Sequence, residues 1–213
     1  MSKNYKIVII DYGMGNTGSI KNMLSFLGFD SQVSNEAKII NEADFLILPG
    51  VGKFDRAMQN INDLNLADTI SEAVVEKRIP TLGICLGMQL MCLSSEEGNE
   101  KGLGLVNYYV KQFKFNNRSN LKIPHMGWNF LKKTNNGLLF KSQEENQRFY
   151  FVHSFYLEDS DLPYKTSITR YGIDFISSFE KDNLFGVQFH PEKSHSYGKN
   201  LFKNFLNYYD RVL

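Results

Sequence analysis

The chain has 213 residues, of which 42% are apolar, 14% aromatic and 22% charged. These are globular proportions, and they exclude a disordered segment or a collagen-like repeat. Twenty-four Lys+Arg against 23 Asp+Glu leave a net charge of +1, without the basic excess expected of a nucleic-acid binder.

The length fits about one domain, and no Pro/Gly/Ser-rich linker or internal repeat divides it, so a single domain over 1–213 is expected. Two cysteines, Cys85 and Cys92, are too few for a disulfide scaffold or a cysteine-only zinc site. No apolar run approaches the roughly 18 residues that span a bilayer, and Ile7 to Ile10 is too short for a signal-peptide core. A cytoplasmic, reducing compartment is therefore expected, with no membrane partner.

In chain order, Lys6-Ile7-Val8-Ile9-Ile10-Asp11 is a β-branched run of the kind covered on both faces. Gly13 and Gly15 are too few for a dinucleotide fingerprint and read as a tight turn. Ile20, Met23, Leu24 and Leu27 recur at helical spacing until Gly28. Phe45 to Leu48 predicts a second buried strand, ended by Pro49-Gly50-Val51-Gly52. Helical patterns follow at Phe54 to Ile61 and Ala67 to Lys77, and Pro80 to Ile84 returns to strand. Strands separated by helices imply parallel βαβ units in a doubly wound sheet.

From Gly104 to Gln188 the segments become β-rich and short, broken at Asn116-Asn117, Asn135-Asn136-Gly137 and Asp159-Ser160-Asp161. Arg148 to His153 and Asn183 to Gln188 predict strands. Leu201, Phe202, Phe205 and Leu206 predict a closing amphipathic helix. The whole reads as an α/β fold: an open, mostly parallel sheet flanked by helices, with an antiparallel β extension.

In Leu82-Gly83-Ile84-Cys85-Leu86-Gly87-Met88-Gln89 an apolar strand runs through Gly-x-Cys-x-Gly into a helical pattern. This is the shape of a nucleophile elbow, where the reactive residue occupies a strained strand-to-helix turn. The glycines are needed because backbone crowds backbone there. A thiol at the first turn of a helix also meets free N–H groups that favour thiolate. The plainer alternative is a small buried hydrophobe at a strand end; for Cys92, two helical turns on, core packing is the better account.

A thiol nucleophile needs a base held by a third group. His190 follows an apolar strand, which would deliver it to the carboxyl edge of the sheet, the ligand site of open α/β folds. Glu192 lies two residues on, and Pro191 biases His190 towards extended backbone, in which i and i+2 project to one side. Glu192 can then hold the imidazole tautomer and stabilise the imidazolium. A surface His-Pro-Glu ion pair is the alternative. His125, His153 and His195 lack a carboxylate two residues away, and no second ligand pair points to a metal.

Elbow and His-Pro-Glu together resemble the class I glutamine amidotransferases, in which a Cys-His-Glu triad hydrolyses glutamine to glutamate and ammonia. The resemblance covers nearly the whole chain and implies their flavodoxin-like fold. Asp11-Tyr12-Gly13-Met14-Gly15-Asn16, Leu48 to Gly52, Pro124 to Asn129, Tyr150 to Ser154 and His190 to Ser194 are similar to the glutaminase subunits of imidazole glycerol phosphate synthase (HisH). There ammonia passes through a (β/α)8-barrel cyclase partner that makes imidazole glycerol phosphate and an aminoimidazole carboxamide nucleotide in histidine biosynthesis.

The resemblance implies Cys85 as nucleophile, His190 as general base and acid, and Glu192 as its orienter. It implies an oxyanion hole from the Leu86 N–H and a donor of the loop at Val51 and Gly52, with a peptide flip on partner binding. Gly50, Gly52, Gln89, Ser154 and Phe155 match positions that hold L-glutamine. Asn16, Met126, Trp128 and Lys193 match the partner face, a core tryptophan being the alternative for Trp128. No cofactor and no metal are implied.

Two stretches depart from the pattern. Thr17-Gly18-Ser19 lacks a bulkier residue before the serine, and Lys193-Ser194-His195-Ser196-Tyr197-Gly198 follows the triad glutamate. Both resemble a paralogous branch that supplies ammonia to a sugar-amidating synthase in surface-polysaccharide biosynthesis. A stand-alone cysteine hydrolase of similar fold, and a regulatory subunit without chemistry, are the other readings.

Overall fold

The computed structural model describes residues 5–115, 120–134, 137–141, 147–158 and 163–212. Its strands are β1 Ile7–Ile10, β2 Ser31–Ser34, β3 Phe45–Leu48, β4 Thr81–Ile84, β5 Ser94–Ser95, β6 Tyr109–Gln112, β7 His125–Phe130, β8 Lys132–Lys133, β9 Arg148–His153, β10 Phe155–Glu158, β11 Lys165–Tyr171, β12 Ile173–Lys181 and β13 Leu184–Val187. Its helices are α1 Thr17–Phe26, α2 Ala37–Asn41, α3 Phe54–Asp63, α4 Leu66–Ser71, α5 Leu86–Leu90, α6 His195–Leu206 and α7 Tyr209–Val212.

The main sheet runs β2-β1-β3-β4-β13-β12-β10-β6-β5, with β11 and β8 added beside β12. From β2 to β13 the pairs are parallel; β12, β10 and β6 continue antiparallel. This is the predicted α/β architecture with its antiparallel extension. A separate ribbon pairs β7 with β9, setting His125 opposite His153 and Trp128 opposite Tyr150.

The continuous apolar runs follow from burial on both faces. Val8, Ile10, Leu46 and Leu48 pack under α3 and α4, while Ile7, Ile9, Phe45 and Ile47 pack against α1 and α6. Successive side chains alternate faces, so only an unbroken apolar run satisfies both layers. Leu201, Phe202, Phe205 and Leu206 of α6 are all buried, each contributing about 1.5–3 kcal/mol.

Two details differ from expectation. Ser31–Ser34 forms edge strand β2 although it is mostly polar. Alternate residues of an edge strand face water, so apolarity does not mark it. The helical pattern of Ala67 to Lys77 divides into α4 and a π-helical turn at Glu72–Glu76. Ala73 and Val74 stay buried through that change of period. The predicted breaks at Asn116-Asn117, Asn135-Asn136 and Asp159-Ser160-Asp161 lie outside the described residues.

Candidate active site

Adjacent parallel strands gather the predicted residues. Leu48 of β3 pairs with Gly83 of β4, and Ile84 pairs with Val187 of β13. The segments leaving these strands therefore emerge together at the carboxyl edge of the sheet, where open α/β folds place ligands. Val51 and Gly52 follow β3, Cys85 follows β4, and Gln188 and His190 follow β13. All of these but the fully buried Gln188 line a cleft of about 290 Å³ with Leu86, Gln89, Glu97, Pro124, Val152, His153, Ser154 and Phe155. A larger groove of about 360 Å³, lined by Tyr5, Asp30, Ser31 and Glu42 among others, opens at the amino edge and contains no thiol or histidine.

Cys85 is buried at the start of α5 with φ 53° and ψ −109°. A side chain at positive φ with this ψ is strained, as the elbow requires. Its neighbours leave no alternative: a Cβ on Gly87 would overlap the Leu48 carbonyl oxygen, and one on Gly83 would lie 2.8 Å from the Met88 nitrogen. Gly87→Ala is accordingly expected to destabilise the fold by about 1–3 kcal/mol through overpacking. A fall in thermal midpoint of about 2–4 °C per kcal/mol reads this out, and an unchanged midpoint would contradict the close approach.

The Cys85 sulfur accepts from Gln188 Nε2 at 3.7 Å and lies 3.8 Å from the Val152 carbonyl oxygen. Tyr12, buried and donating to the Pro49 carbonyl at 2.6 Å, has its hydroxyl pushed far up by burial and then by Cys85. Cys92 is also buried and free, with its sulfur 3.6 Å from the Met88 carbonyl oxygen, which is the expected core role.

His190 Nδ1 lies 2.8 Å from Glu192 Oε1, and both side chains are buried. Burial alone would lower the imidazole, but the Cys85 sulfur and the Glu192 carboxylate outweigh it and push it up to about 10. His190 Nε2 is buried without a hydrogen-bond partner among the described residues. The pairing differs in one respect from expectation: Pro191–Lys193 forms a 3-10 turn, so Glu192 does not follow His190 on extended backbone. Ser194 clamps that turn instead, its hydroxyl donating to the His190 carbonyl at 2.6 Å and accepting from the Tyr150 N–H at 3.0 Å.

The remaining predicted residues divide. Gly52 lines the cleft at φ 104°, while Gly50 is buried behind it, where a Cβ would lie 2.7 Å from Leu86 Cβ and 2.8 Å from the Tyr12 hydroxyl. Gln89, Ser154 and Phe155 line the cleft. The Phe155 carbonyl accepts from Gln89 Nε2 at 3.1 Å and lies 2.7 Å from His153 Nδ1, and the Ser154 carbonyl accepts from the Phe113 N–H. Two residues outside the predicted set belong here. Gln188 touches the sulfur, and Glu97 is the carboxylate in the cleft wall, held by the Phe54 N–H at 2.9 Å. Gln188, two residues before His190, reaches the sulfur because β13 lies beside β4, whereas Glu97, after β5, is held in place by the start of α3.

Beside the cleft, β7 turns Met126, Trp128 and Phe130 to the surface, with Trp128 41% exposed rather than in the core. Lys193 is exposed with Nζ over the Tyr150 ring, and α1, which begins after half-buried Asn16, touches the Pro191–Lys193 turn. His195 stacks on Trp128 with centroids 5.5 Å apart and planes within 3°.

The glutamine amidotransferase class-I family model matches residues 8–208. The chain belongs to the HisH family of class I glutamine amidotransferases. It is 50% identical to imidazole glycerol phosphate synthase subunit HisH 2 of Methanococcus maripaludis, over 94% of this chain and 98% of that one. The corresponding HisH 2 of Pseudomonas aeruginosa is 44% identical over the same shares, and HisH of Leptospira borgpetersenii is 41% identical over 94% and 99%. PurLQS from Thermotoga maritima shares the fold at a TM-score of 0.74 and 20% identity, covering 97% of this chain and 100% of that one. The amidotransferase has no described helix long and apolar enough to cross a membrane.

Proposed function

We propose that this amidotransferase hydrolyses L-glutamine through Cys85, His190 and Glu192. It passes the ammonia to a (β/α)8-barrel cyclase subunit that makes imidazole glycerol phosphate and an aminoimidazole carboxamide nucleotide in histidine biosynthesis. The observation that carries the chemistry is the buried His190–Glu192 pair, with an unpartnered Nε2, in the same cleft as a thiol on a strained elbow.

With the Cys85 proton on His190 Nε2, the sulfur attacks the side-chain amide carbon of glutamine. The carbonyl π pair moves onto oxygen, where the Leu86 N–H and a donor from the Val51–Gly52 loop meet it. The C–N bond then breaks, and ammonia leaves with the proton from His190. Water attacks the resulting thioester while His190 takes its proton; the C–S bond breaks, glutamate leaves, and the proton returns to the thiolate. Glu192 stays ionised throughout and holds Nδ1–H, so that Nε2 can cycle. Gln89 and Glu97 present acceptors to the α-ammonium of the substrate, and the Ser154–Phe155 segment completes that end.

The exposed strip of Met126, Trp128 and Phe130, with Asn16 and Lys193 near it, forms the docking face for the barrel subunit, apolar and aromatic at its centre. Docking turns the Val51–Gly52 peptide towards the oxyanion; at φ 104°, Gly52 carries no side chain to oppose this. Completing an oxyanion hole is worth about 10²–10³ in rate. Ammonia release from glutamine is therefore expected to be weak for the chain alone and to rise by about that factor with the barrel subunit and its nucleotide. Full activity without a partner would make it a stand-alone hydrolase.

A second acceptor is favoured by one observation. His195, in a stretch that departs from the family pattern, stacks directly on Trp128 of the docking face. That alters the surface a partner meets while leaving the cleft untouched, as a sugar-amidating synthase partner would require. Assembly with each kind of synthase in turn decides between them.

A further inference from the structure

Two buried histidines outside the Cys85–His190–Glu192 set stand at the back of the cleft. His125 and His153 are a cross-strand pair of the β7–β9 ribbon, and His125 Nδ1 lies 3.0 Å from His153 Nε2. Their other nitrogens are engaged too: His153 Nδ1 is 2.7 Å from the Phe155 carbonyl oxygen, and His125 Nε2 is 3.2 Å from Asn129 Nδ2.

One proton arrangement satisfies all three contacts. A carbonyl oxygen only accepts, so His153 carries its proton on Nδ1 and accepts at Nε2. His125 must then donate from Nδ1 and accept from the Asn129 amide at Nε2. A second proton on either ring would point at another N–H. Burial acts in the same direction, holding His125 down at about 4 and, with the neighbouring ring, His153 at about 3. The His125 ring is fixed between Phe151 and Tyr171, at centroid distances of 4.9 and 4.0 Å.

The relay ends on a carbonyl that accepts twice, from His153 and, at 3.1 Å, from Gln89 Nε2. The same Gln89 nitrogen donates to Gln188 Oε1 at 2.9 Å. Both Gln89 amide hydrogens and both Phe155 carbonyl lone pairs are therefore consumed. What Gln89 has left for the cleft is its oxygen, an acceptor.

We propose that Asn129, His125 and His153 are positioning residues: a one-directional relay that pins the Phe155 carbonyl and so fixes the Gln89 amide with its oxygen towards the α-ammonium of the substrate. The proposal rests on glutamine as substrate, argued above. A rotated Gln89 amide would set its oxygen against the Phe155 carbonyl oxygen and Gln188 Oε1 and turn its N–H towards the ammonium, so holding that carbonyl in place keeps the cleft able to recognise an ammonium.

Calorimetric titration in a Cys85→Ala background, which prevents turnover, compares glutamine with glutaric acid monoamide, the same molecule without its α-ammonium. His153→Leu is expected to weaken glutamine by roughly 10- to 100-fold, as for loss of a hydrogen bond to a charged group, and to leave the monoamide unchanged. His153→Asn sets an amide N–H near the Nδ1 position and is expected to restore glutamine binding. Equal losses on both ligands, or no loss at all, would overturn the relay. Long-range 1H–15N spectra of the imidazoles test it without any ligand, and decide the case if glutamine fails to bind the parent protein or a variant fails to fold. Both rings are expected neutral and Nδ1-protonated at pH 6; a charged or Nε2-protonated ring at either position refutes the relay.

Discussion

Replacing Cys85 by alanine is expected to reduce glutamine hydrolysis on the order of 10⁴-fold or more, to background, with the fold intact. The two sides of that expectation come from different features. Chemically, the sulfur is the thiol of the cleft, and among the described residues the imidazole in the same cleft has no hydrogen-bond partner at Nε2. Structurally, its hydrogen-bond contacts to Gln188 and Val152 are long, at 3.7 and 3.8 Å, and alanine deletes a single heavy atom from the cluster it packs in. Alanine also inherits the same positive φ, so the elbow strain is unchanged. On the proposed function, the complex with the barrel subunit is expected to go on making product from added ammonium salts, because that function assigns the acceptor chemistry to the partner. Glutamate formation at the parent rate by Cys85→Ala would sink the nucleophile assignment; loss of ammonia-dependent synthesis as well would show that the substitution disturbs the assembly.

The elbow was legible because a strained turn demands glycines at fixed offsets, and crowding at Gly83 and Gly87 is what those offsets encode. The strands that carry the site were legible for a related reason. Burial on both faces forces unbroken apolar runs, as in Ile7–Ile10 and Phe45–Leu48. Strand order leaves no such trace. Gln188 donates to a sulfur 103 positions earlier in the chain because β13 lies beside β4, and nothing local announces that neighbour. The two buried histidines carry no such mark, because a carboxylate two residues away identifies charged imidazoles. His125 and His153 are neutral, and they partner each other through the register of β7 and β9. Ser31–Ser34 carries no apolar run because an edge strand needs apolar residues on one face only.

Glu192→Gln is the sharper test of how the imidazole is held, because it keeps the shape and removes the charge. The glutamine amide can donate to His190 Nδ1, which would move the imidazole proton to Nε2, the nitrogen that must accept from the thiol. A wrong tautomer of this kind has cost about 10⁴ in kcat where a triad carboxylate became an amide. A fall of about 10²–10⁴ in kcat is expected here, with KM nearly unchanged because Glu192 is not part of the cleft wall.

The pH dependence follows with its sign. His190 is raised in the folded protein to about 10, burial opposing and the Cys85 sulfur and Glu192 carboxylate prevailing. A raised folded value means that the protonated ring stabilises the fold in full below its ordinary value of about 6.5. That contribution fades as pH rises through about 10. The thermal midpoint of the parent protein is expected to decline across that window, and more shallowly in Glu192→Gln, where part of the support for the imidazolium is gone. A kcat for Glu192→Gln close to that of the parent, with an identical alkaline decline in midpoint, would mean that the carboxylate neither orients nor charges the imidazole, and His190 would have to act without a third member.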